Sequence, residues 1–476
     1  MIDFTHLTID GKPIKKVYAI GIKGSGVVSL AELLVSQGVS ISGSDTQEKF
    51  FTDYILDKLG IPYFENFSPD NIPTDADLII YSTAYNAENN IEFRTCREKG
   101  FRMFSYPEIL AGLFNQKYGV AVCGTHGKTT TSALLGVVLQ MTGNDPSAAI
   151  GGRVINWGSN ALLGKGDFFV IEADEFQNKL KLYNPKAVIL TSLDFDHPDC
   201  YKDFTAYKEA FKEFVARIPA SGFLFVWGDS VDTLEIAAAA KCQVIKYGFL
   251  EGNDFLITDY KFQDFKIIDS QNKDYGRFHM QLIGKHNLLN AAGVIAFCCK
   301  FNIDLEKTRE AIKSFEGTSR RFEYIGIHNG AILIDDYGHH PEEIKATLGA
   351  AREIYPNKNI IAVFHPHSYS RTIALLNDFA QSFDAADKVI VLDIYGSARE
   401  TSGQINSKNL TDLINKYCSG KADYIPTIEE TVIYLQDRIG EKDVVLAIGA
   451  GNVFEVVEKL KENSSYVIPS SVEESN

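Results

Sequence analysis

The chain has 476 residues, of which 45% are hydrophobic and 23% charged, and its formal net charge is −15. These proportions fit a soluble globular protein of about three domains and exclude a disordered or fibrous chain. The acidic balance, with no compensating basic stretch, argues against a nucleic-acid partner. The absence of a long apolar run or a charged-then-apolar leader argues against membrane insertion and export, so a cytoplasmic protein is expected.

Residues 17–22 read as a strand, Gly24-Ser25-Gly26 as a turn, 27–37 as a helix, and a second strand opens at 39 and is followed by Asp45. This is a βαβ unit with an acid at the end of its second strand, the arrangement of Rossmann-type nucleotide sites. The turn Gly21-Ile22-Lys23-Gly24-Ser25-Gly26 departs from the dinucleotide fingerprint, because Lys23 fills the third position and the next glycine follows too soon. A further strand at 77–82 places Ser82 and Thr83 at a carboxyl edge, where such sheets bind ligands.

An apolar run at 120–122 then leads into Gly124-Thr125-His126-Gly127-Lys128-Thr129-Thr130 and a helical segment. Glycines let backbone N–H groups converge on phosphate oxygens, the helix N-terminus adds partial positive charge, Lys128 reaches the outer phosphates, and the Thr129 hydroxyl is suited to Mg²⁺. The usual spacing would put a glycine at Val122, so the loop is a compact variant. Strand 168–171 ends in Glu172-Ala173-Asp174-Glu175, and strand 187–191 leads to Asp194-Phe195-Asp196-His197-Pro198-Asp199. Thr129, Glu172 and His197 form a candidate metal set for one or two Mg²⁺ ions, although hard cations prefer oxygen to imidazole. Residues 223–281 are expected to form a small antiparallel subsheet on the same core. His286, Asn287 and Asn290 open a helix after Gly284, either as polar groups for a flat base or as a simple Asn cap. Of the seven cysteines, Cys123, Cys298 and Cys299 lie in apolar context and read as small core residues of a reducing compartment.

From Arg320 the pattern is again α/β, with apolar runs at 332–334, 360–364, 389–392 and 444–448. Asp335-Asp336-Tyr337-Gly338-His339-His340-Pro341 lies between a strand and a helix, and His365-Pro366-His367 precedes Arg371, a planar fork for a carboxylate or phosphoryl group. The fold class expected is α/β in three domains. Residues 1–107 form a Rossmann-like domain, 108–318 a central P-loop domain with a mostly parallel sheet, and 319–463 a second Rossmann-like domain. A disordered tail is expected at 464–476.

These motifs in this order, together with Arg320-Arg321-Phe322, Gly284-Lys285-His286-Asn287 and Gly396-Ser397-Ala398-Arg399-Glu400, resemble the Mur ligases, a family of ATP-dependent amide-forming enzymes, over nearly the whole chain. The likeness is greatest to the alanine-adding branch. It implies ATP as co-substrate with Mg²⁺, UDP-N-acetylmuramate and L-alanine as substrates, a homodimer as a candidate assembly, and a C-terminal domain that closes over the site. By resemblance Gly124, Thr125, His126, Gly127, Lys128, Thr129 and Thr130 hold the phosphates. His286, Asn287, Asn290, Arg321, Asp335 and Asp336 lie on the nucleotide side. Thr129, Glu172 and His197 are metal ligands, and Gly24, Ser25, Gly26, Asp45, Ser82 and Thr83 match the UDP-sugar side. Tyr337, His339, His367 and Arg371 face the amino acid, and Lys128, His339 and Arg371 carry the catalysis. Sister ligases carry a carbamylated lysine in a Tyr-x-x-Ala-Lys segment. Here Phe211 follows Ala210, so that modification is not expected, although Lys212 is adjacent. The rival readings are a ligase that recycles a tripeptide onto the same UDP-sugar, a nicotinamide oxidoreductase, and a catalytically silent UDP-sugar-binding protein.

Overall fold

The computed structural model describes residues 2–3, 6–198, 200–396, 405–417 and 420–463. The chain divides into two units, Met1–Ser319 and Arg320–Asn476. The expected tail, Asp199, and Ser397 to Glu400 of the last motif lie outside the described residues. Among the described residues no helix is long and apolar enough to cross a membrane.

The first unit begins with a small antiparallel sheet of Ile2–Asp3, Thr8–Ile9 and Lys12–Pro13. A five-stranded parallel sheet follows, in the order Tyr63–Phe64, Ser40–Ser44, Lys16–Ile20, Leu78–Tyr81, Met103–Ser105. Strand order reverses between Lys16–Ile20 and Leu78–Tyr81, which opens a crevice at their carboxyl ends. The first strand stops at Ile20, two residues earlier than the apolar run implies, because Gly21 takes φ 79° and turns the chain into the helix Ser25–Val35. That helix is buried on most of its surface because it packs against both the first sheet and the edge of the next. Ser29 Oγ donates to Ile150 O at 2.8 Å, and the Glu32 carboxylate accepts from Ser159 Oγ at 2.7 Å and Asn160 N at 3.0 Å. Burial pushes the Glu32 carboxyl up to about 7 against those bonds.

The larger sheet of this unit has ten strands, in the order Ser159–Leu162, Ser147–Val154, Phe168–Glu172, Tyr118–Cys123, Ala187–Leu190, Phe223–Trp227, Gln243–Gly248, Phe255–Lys261, Asp264–Asp269, Asp274–His279. The pairing is parallel from Ser147–Val154 to Phe255–Lys261 and antiparallel at both edges. The separate antiparallel subsheet expected over 223–281 is therefore corrected. Its first two strands are joined by the helix Val231–Ala237, capped by Ser230, which supplies a parallel crossover. Seven residues are too few for that helix to declare itself by periodicity, and only the last hairpins are antiparallel. The helix Lys128–Met141 is buried nearly all round, between this sheet and the helices Lys285–Lys300 and Leu305–Ser314. Cys123 and Cys298 are core residues as expected, whereas Cys299 is only half-buried.

The second unit holds a six-stranded sheet in the order Glu323–His328, Ala331–Asp336, Asp443–Ile448, Asn359–Phe364, Lys388–Val391, Ala422–Tyr424. Only the first pair is antiparallel. The helix Pro341–Ile354 starts with proline in its first turn and a reciprocal cap between His340 and Glu343. The loop that carries the histidines is thus anchored by a rigid helix start.

Candidate active site

The phosphate loop is sewn into the ten-stranded sheet. Val122 pairs with Glu172 on one side and Ile189 on the other, so the strand continues to Cys123 and the loop opens only at Gly124. This is the physical reason for the missing glycine at position 122. Thr125 N donates to Ser192 O at 2.8 Å, Thr125 Oγ1 to Asp194 O at 2.8 Å, and His126 Nε2 lies 2.9 Å from Asp194 Oδ2. Gly127 caps the helix with φ 79°, and Asn290 lies directly against it. Thr130 is buried in the first turn.

Lys128 folds back over its own loop. Its Nζ donates to Gly124 O at 2.6 Å, Thr125 O at 3.1 Å and Glu175 Oε2 at 3.0 Å. Burial works against the ammonium charge, but Glu175, then Asp174 and Glu172, outweigh it and raise the Lys128 pKa above its ordinary range. Glu175 also accepts from Tyr207 Oη at 2.8 Å, which in turn lies 2.9 Å from Thr125 Oγ1. Thr129 Oγ1 donates to Glu172 Oε1 at 2.9 Å, and Gly151 N donates to Glu172 Oε2 at 2.8 Å.

The expected metal set is thus divided. Thr129 and Glu172 are in contact, whereas His197 stands with Asp174 and Glu175, their ligand atoms within 4.8 Å of one another. His197 adopts φ 57°, and its ring lies 4.8 Å from that of Phe176. Both groups combine carboxylate oxygens with a hydroxyl or an imidazole, a donor chemistry compatible with a divalent cation. Asn287 Nδ2 donates to Ile283 O at 2.8 Å and lies 3.1 Å from His286 Nε2, while Asn290 Nδ2 donates to Asn287 Oδ1 at 3.3 Å. The cap of this helix is Gly284, not an asparagine. Lys212 pairs with Glu235 and Glu209, so it takes no part in the loop.

At the crevice of the five-stranded sheet, Gly24 caps the helix that begins with Ser25 and Gly26. Asp45 accepts from Lys23 N at 2.7 Å, Thr46 N at 2.8 Å and the Tyr85 hydroxyl at 3.3 Å, and burial raises its carboxyl. Ser82 N donates to Ile20 O, and Thr83 follows it half-buried in the turn. The Lys23 side chain points away from the turn. Its Nζ donates to Thr46 O, Glu48 O and Glu65 Oε1 and lies 5.2 Å from the Tyr63 ring centre.

In the second unit Tyr337, His339, His367 and Arg371 gather at one end of the sheet. His339 Nδ1 lies 3.1 Å from Tyr337 O, its ring is 6.4 Å from that of His367, and His367 Nδ1 is 3.5 Å from a buried Arg371 guanidinium nitrogen. Ser368, at φ 75°, caps the short helix that presents Arg371. Arg321 lies against Tyr337 and Glu343. Asp335 and Asp336 are buried and engaged within the unit. Asp335 takes Arg320 Nε at 2.9 Å, while Asp336 accepts from Phe322 N, Gly338 N and Thr347 Oγ1.

Three family profiles match in chain order: Mur ligase family, catalytic domain, over residues 16–118; Mur ligase middle domain, over 122–298; and Mur ligase, glutamate ligase domain, over 320–451. The chain belongs to the Mur ligase family. This Mur ligase is 41% identical to the UDP-N-acetylmuramate–L-alanine ligase of Desulfitobacterium hafniense over 449 residues, covering 93% of the chain and 99% of that protein. It is 38% identical to the same-named ligase of Caldanaerobacter subterraneus, covering 96% and 100%. Among solved structures, the UDP-N-acetylmuramate-alanine ligase of Thermotoga maritima superposes with a TM-score of 0.78 at 26% identity, covering 94% of this chain and 98% of that one. A murein peptide ligase from Psychrobacter arcticus shares the fold with a TM-score of 0.75 at 23% identity, covering 95% and 100%.

The sequence reading of this Mur ligase missed Glu175 as the anchor of Lys128, and Tyr207 and Tyr201 as its supports; Tyr201 Oη donates to Glu175 O at 2.6 Å. An acid at the fourth place of an Glu-x-x-Glu run was the available signal, but nothing local says which carboxylate turns inward. The loop is also sterically exacting. A Cβ at Gly124, where φ is 131°, would meet Thr191 Oγ1 and stand 2.7 Å from Ser192 O and 2.9 Å from Ser192 N. Gly124→Ala is expected to destabilise the fold by about 2 kcal/mol or more, because backbone cannot yield as a flexible side chain can. Gly143→Ala, at φ 82° with nothing within 4 Å, is the control and should cost about 1 kcal/mol. Chemical denaturation of both variants checks the ordering.

Proposed function

We propose that the chain is an ATP-dependent ligase that joins L-alanine to the lactyl carboxylate of UDP-N-acetylmuramate, giving UDP-N-acetylmuramoyl-L-alanine, ADP and phosphate in peptidoglycan synthesis. The observation that carries the reading is the loop Gly124–Thr130 with Lys128 poised on buried Glu175 beside the Thr129–Glu172 pair, in a chain similar over almost its full length to alanine-adding ligases.

A carboxylate is a poor acylating agent, so the γ-phosphoryl group is first transferred to it. A carboxylate oxygen attacks the γ-phosphorus and ADP leaves. The neutral amine then attacks the acyl carbon, and inorganic phosphate leaves. Lys128, with the N–H groups of the loop, offsets the negative charge that gathers as the two anions approach. His286, Asn287 and Asn290 are the candidate base contacts, and Thr129, Glu172 and His197, now joined by Asp174 and Glu175, the candidate holders of Mg²⁺. When bound, Mg²⁺ would neutralise phosphate charge. The crevice at Gly24, Ser25, Gly26, Asp45, Ser82 and Thr83 is assigned to the UDP-sugar. In the second unit His339 is the candidate base for the amine, and Arg371 the fork for the charged intermediate. Asp335 and Asp336 shape the loop on which Tyr337 and His339 sit. The reading places the enzyme in the cytoplasm.

The test is an amino-acid panel with UDP-N-acetylmuramate and ATP, scored by the mass of the nucleotide product. L-Alanine should be the preferred acceptor. Turnover of the tripeptide in its place would establish the recycling ligase instead.

A further inference from the structure

Between the two glycine turns of the first unit lies a buried cation that the scheme above does not use. After Glu175, Gln177 and Asn178 both adopt left-handed backbone, at φ 55° and 56°, and this double reversal carries Lys179 inward. Its Nζ pairs with Asp174 Oδ2 at 2.6 Å and lies 5.7 Å and 5.3 Å from the ring centres of Tyr106 and Phe176. Tyr106 packs so closely on Gly26 that a Cβ there would overlap its ring. On the other side, Asp174 belongs to the Asp174, Glu175, His197 group, of which Glu175 holds Lys128. Lys179 is thus the link between the crevice turn and the phosphate loop. The pair is also asymmetric, because the lysine side chain is 9% exposed and its aspartate 39%.

The chemistry asks for a cation in this place. Phosphoryl transfer to a carboxylate brings two anions together, and Lys128 serves the phosphate side. We propose that Lys179 is the positioning residue for the substrate carboxylate, with Asp174 as its resting partner, displaced outward when the carboxylate of the UDP-sugar arrives. Exchange of one carboxylate for another keeps the buried ammonium paired throughout, which avoids the cost of an uncompensated buried charge. Asp174 is the more exposed partner, held otherwise by the Phe176 N–H that its Oδ1 accepts at 3.0 Å, so it is the one to move, and the lysine stays fixed by its two aromatic neighbours. No bond is made or broken in this step.

The inference rests on the ligase reading, and steady-state kinetics with UDP-N-acetylmuramate, ATP, L-alanine and Mg²⁺ separates the two. Lys179→Met should raise KM for the UDP-sugar about tenfold or more while KM for ATP and L-alanine stays within about twofold. Lys179→Arg should recover most of the loss, since it restores a carboxylate-binding cation. Asp174→Asn, assayed at saturating Mg²⁺ because Asp174 is also a candidate holder of that ion, should not raise KM for the UDP-sugar, since the competing carboxylate is weakened. An unchanged sugar KM in Lys179→Met overturns the proposal. So does a parallel shift of the Mg²⁺ activation curve in Lys179→Met and Asp174→Asn with sugar KM untouched, which would make Lys179 only a support for Asp174. If thermal melting shows that Lys179→Met does not fold, Lys179→Arg and Asp174→Asn decide, a raised sugar KM in the latter counting against the proposal. A wild-type chain that forms no amide overturns the ligase reading itself. Wild-type activity with an unaffected Lys179→Met overturns Lys179 alone.

Discussion

Replacing Lys128 by Ala is expected to lower kcat for amide formation by about a thousandfold or more, the scale for removing a cation aimed at a transferring phosphoryl group. Nζ bridges Gly124 O, Thr125 O and Glu175, so the same side chain also braces the loop. The substitution therefore has a structural consequence. Glu175, fully buried, loses its lysine and keeps the Tyr207 hydroxyl at 2.8 Å and the His197 imidazole at 3.8 Å. A buried charge stripped of its partner costs about 3–5 kcal/mol, so the single variant alone confounds two effects. Lys128→Met combined with Glu175→Gln removes both charges together. The double variant should regain most of the stability lost in Lys128→Met while remaining inactive, because a neutral pair can be buried cheaply but cannot serve a phosphate. Measuring ADP release beside a thermal melt separates the terms. Near wild-type ADP release from a folded variant would remove Lys128 from the chemistry.

The sheets and the loop were legible because their signals are local. Apolar runs at 120–122, 187–191 and 444–448 correspond to the strands Tyr118–Cys123, Ala187–Leu190 and Asp443–Ile448, and glycines beside Lys128 announced the turn. Side-chain direction beyond a strand end was not legible. Whether Glu172, Asp174 or Glu175 turns toward Lys128 depends on the backbone of the following loop. Gln177, Asn178 and His197 all sit in left-handed conformations, which Asn and His adopt more readily than most residues but which no local pattern places here. Thr129 and Glu172 could be paired in advance because both lie at the ends of regular elements. His197 sits on an irregular loop and joined the other acids. For the same reason Lys23 read as a residue of the crevice turn, although its side chain lies in a cage formed by residues 46, 48 and 65. Arg320 stood out only as part of the Arg320-Arg321-Phe322 motif, and its role had no local signal, since its guanidinium partners lie far along the chain, at 335 and 449–451.

Arg320 is where the second unit should be most fragile. It adopts φ 62°, and its guanidinium is buried between the rings of Tyr337 and Phe454. Nε donates to Asp335 Oδ2 at 2.9 Å, and the two terminal nitrogens donate to Gly451 O at 2.9 Å and Gly449 O at 2.7 Å. One planar fork thus ties the strand end at Asp335 to the glycine turn after Asp443–Ile448. Arg320→Met should cost about 3–5 kcal/mol at pH 8, because it leaves a buried carboxylate and two carbonyls without their donor. Arg320→Lys should recover little, since an ammonium cannot span three acceptors in the plane of a guanidinium. The loss should depend on pH in a defined direction. Burial raises the Asp335 carboxyl to about 6, with Arg320 pulling it down and Glu323 and Asp336 pushing it up. A carboxyl raised in the folded state contributes stability that is complete below its unfolded pKa and is lost as pH rises through the folded value. Removing Arg320 raises Asp335 further, so wild type and variant both hold it largely protonated at pH 5 and differ most at pH 8. The deficit should therefore shrink by roughly 1 kcal/mol or more at pH 5. His365, which burial lowers to about 4, with Asp393 pulling it up and Arg320 pushing it down, adds weakly to the trend, because loss of Arg320 makes it easier to protonate in the folded state at pH 5. Both tryptophans, Trp157 and Trp227, lie in the first unit, so their fluorescence reports that unit alone. Hydrogen exchange over Asp443–Ile448 reads the second. A variant with wild-type protection there at pH 8 would show that the fork is dispensable.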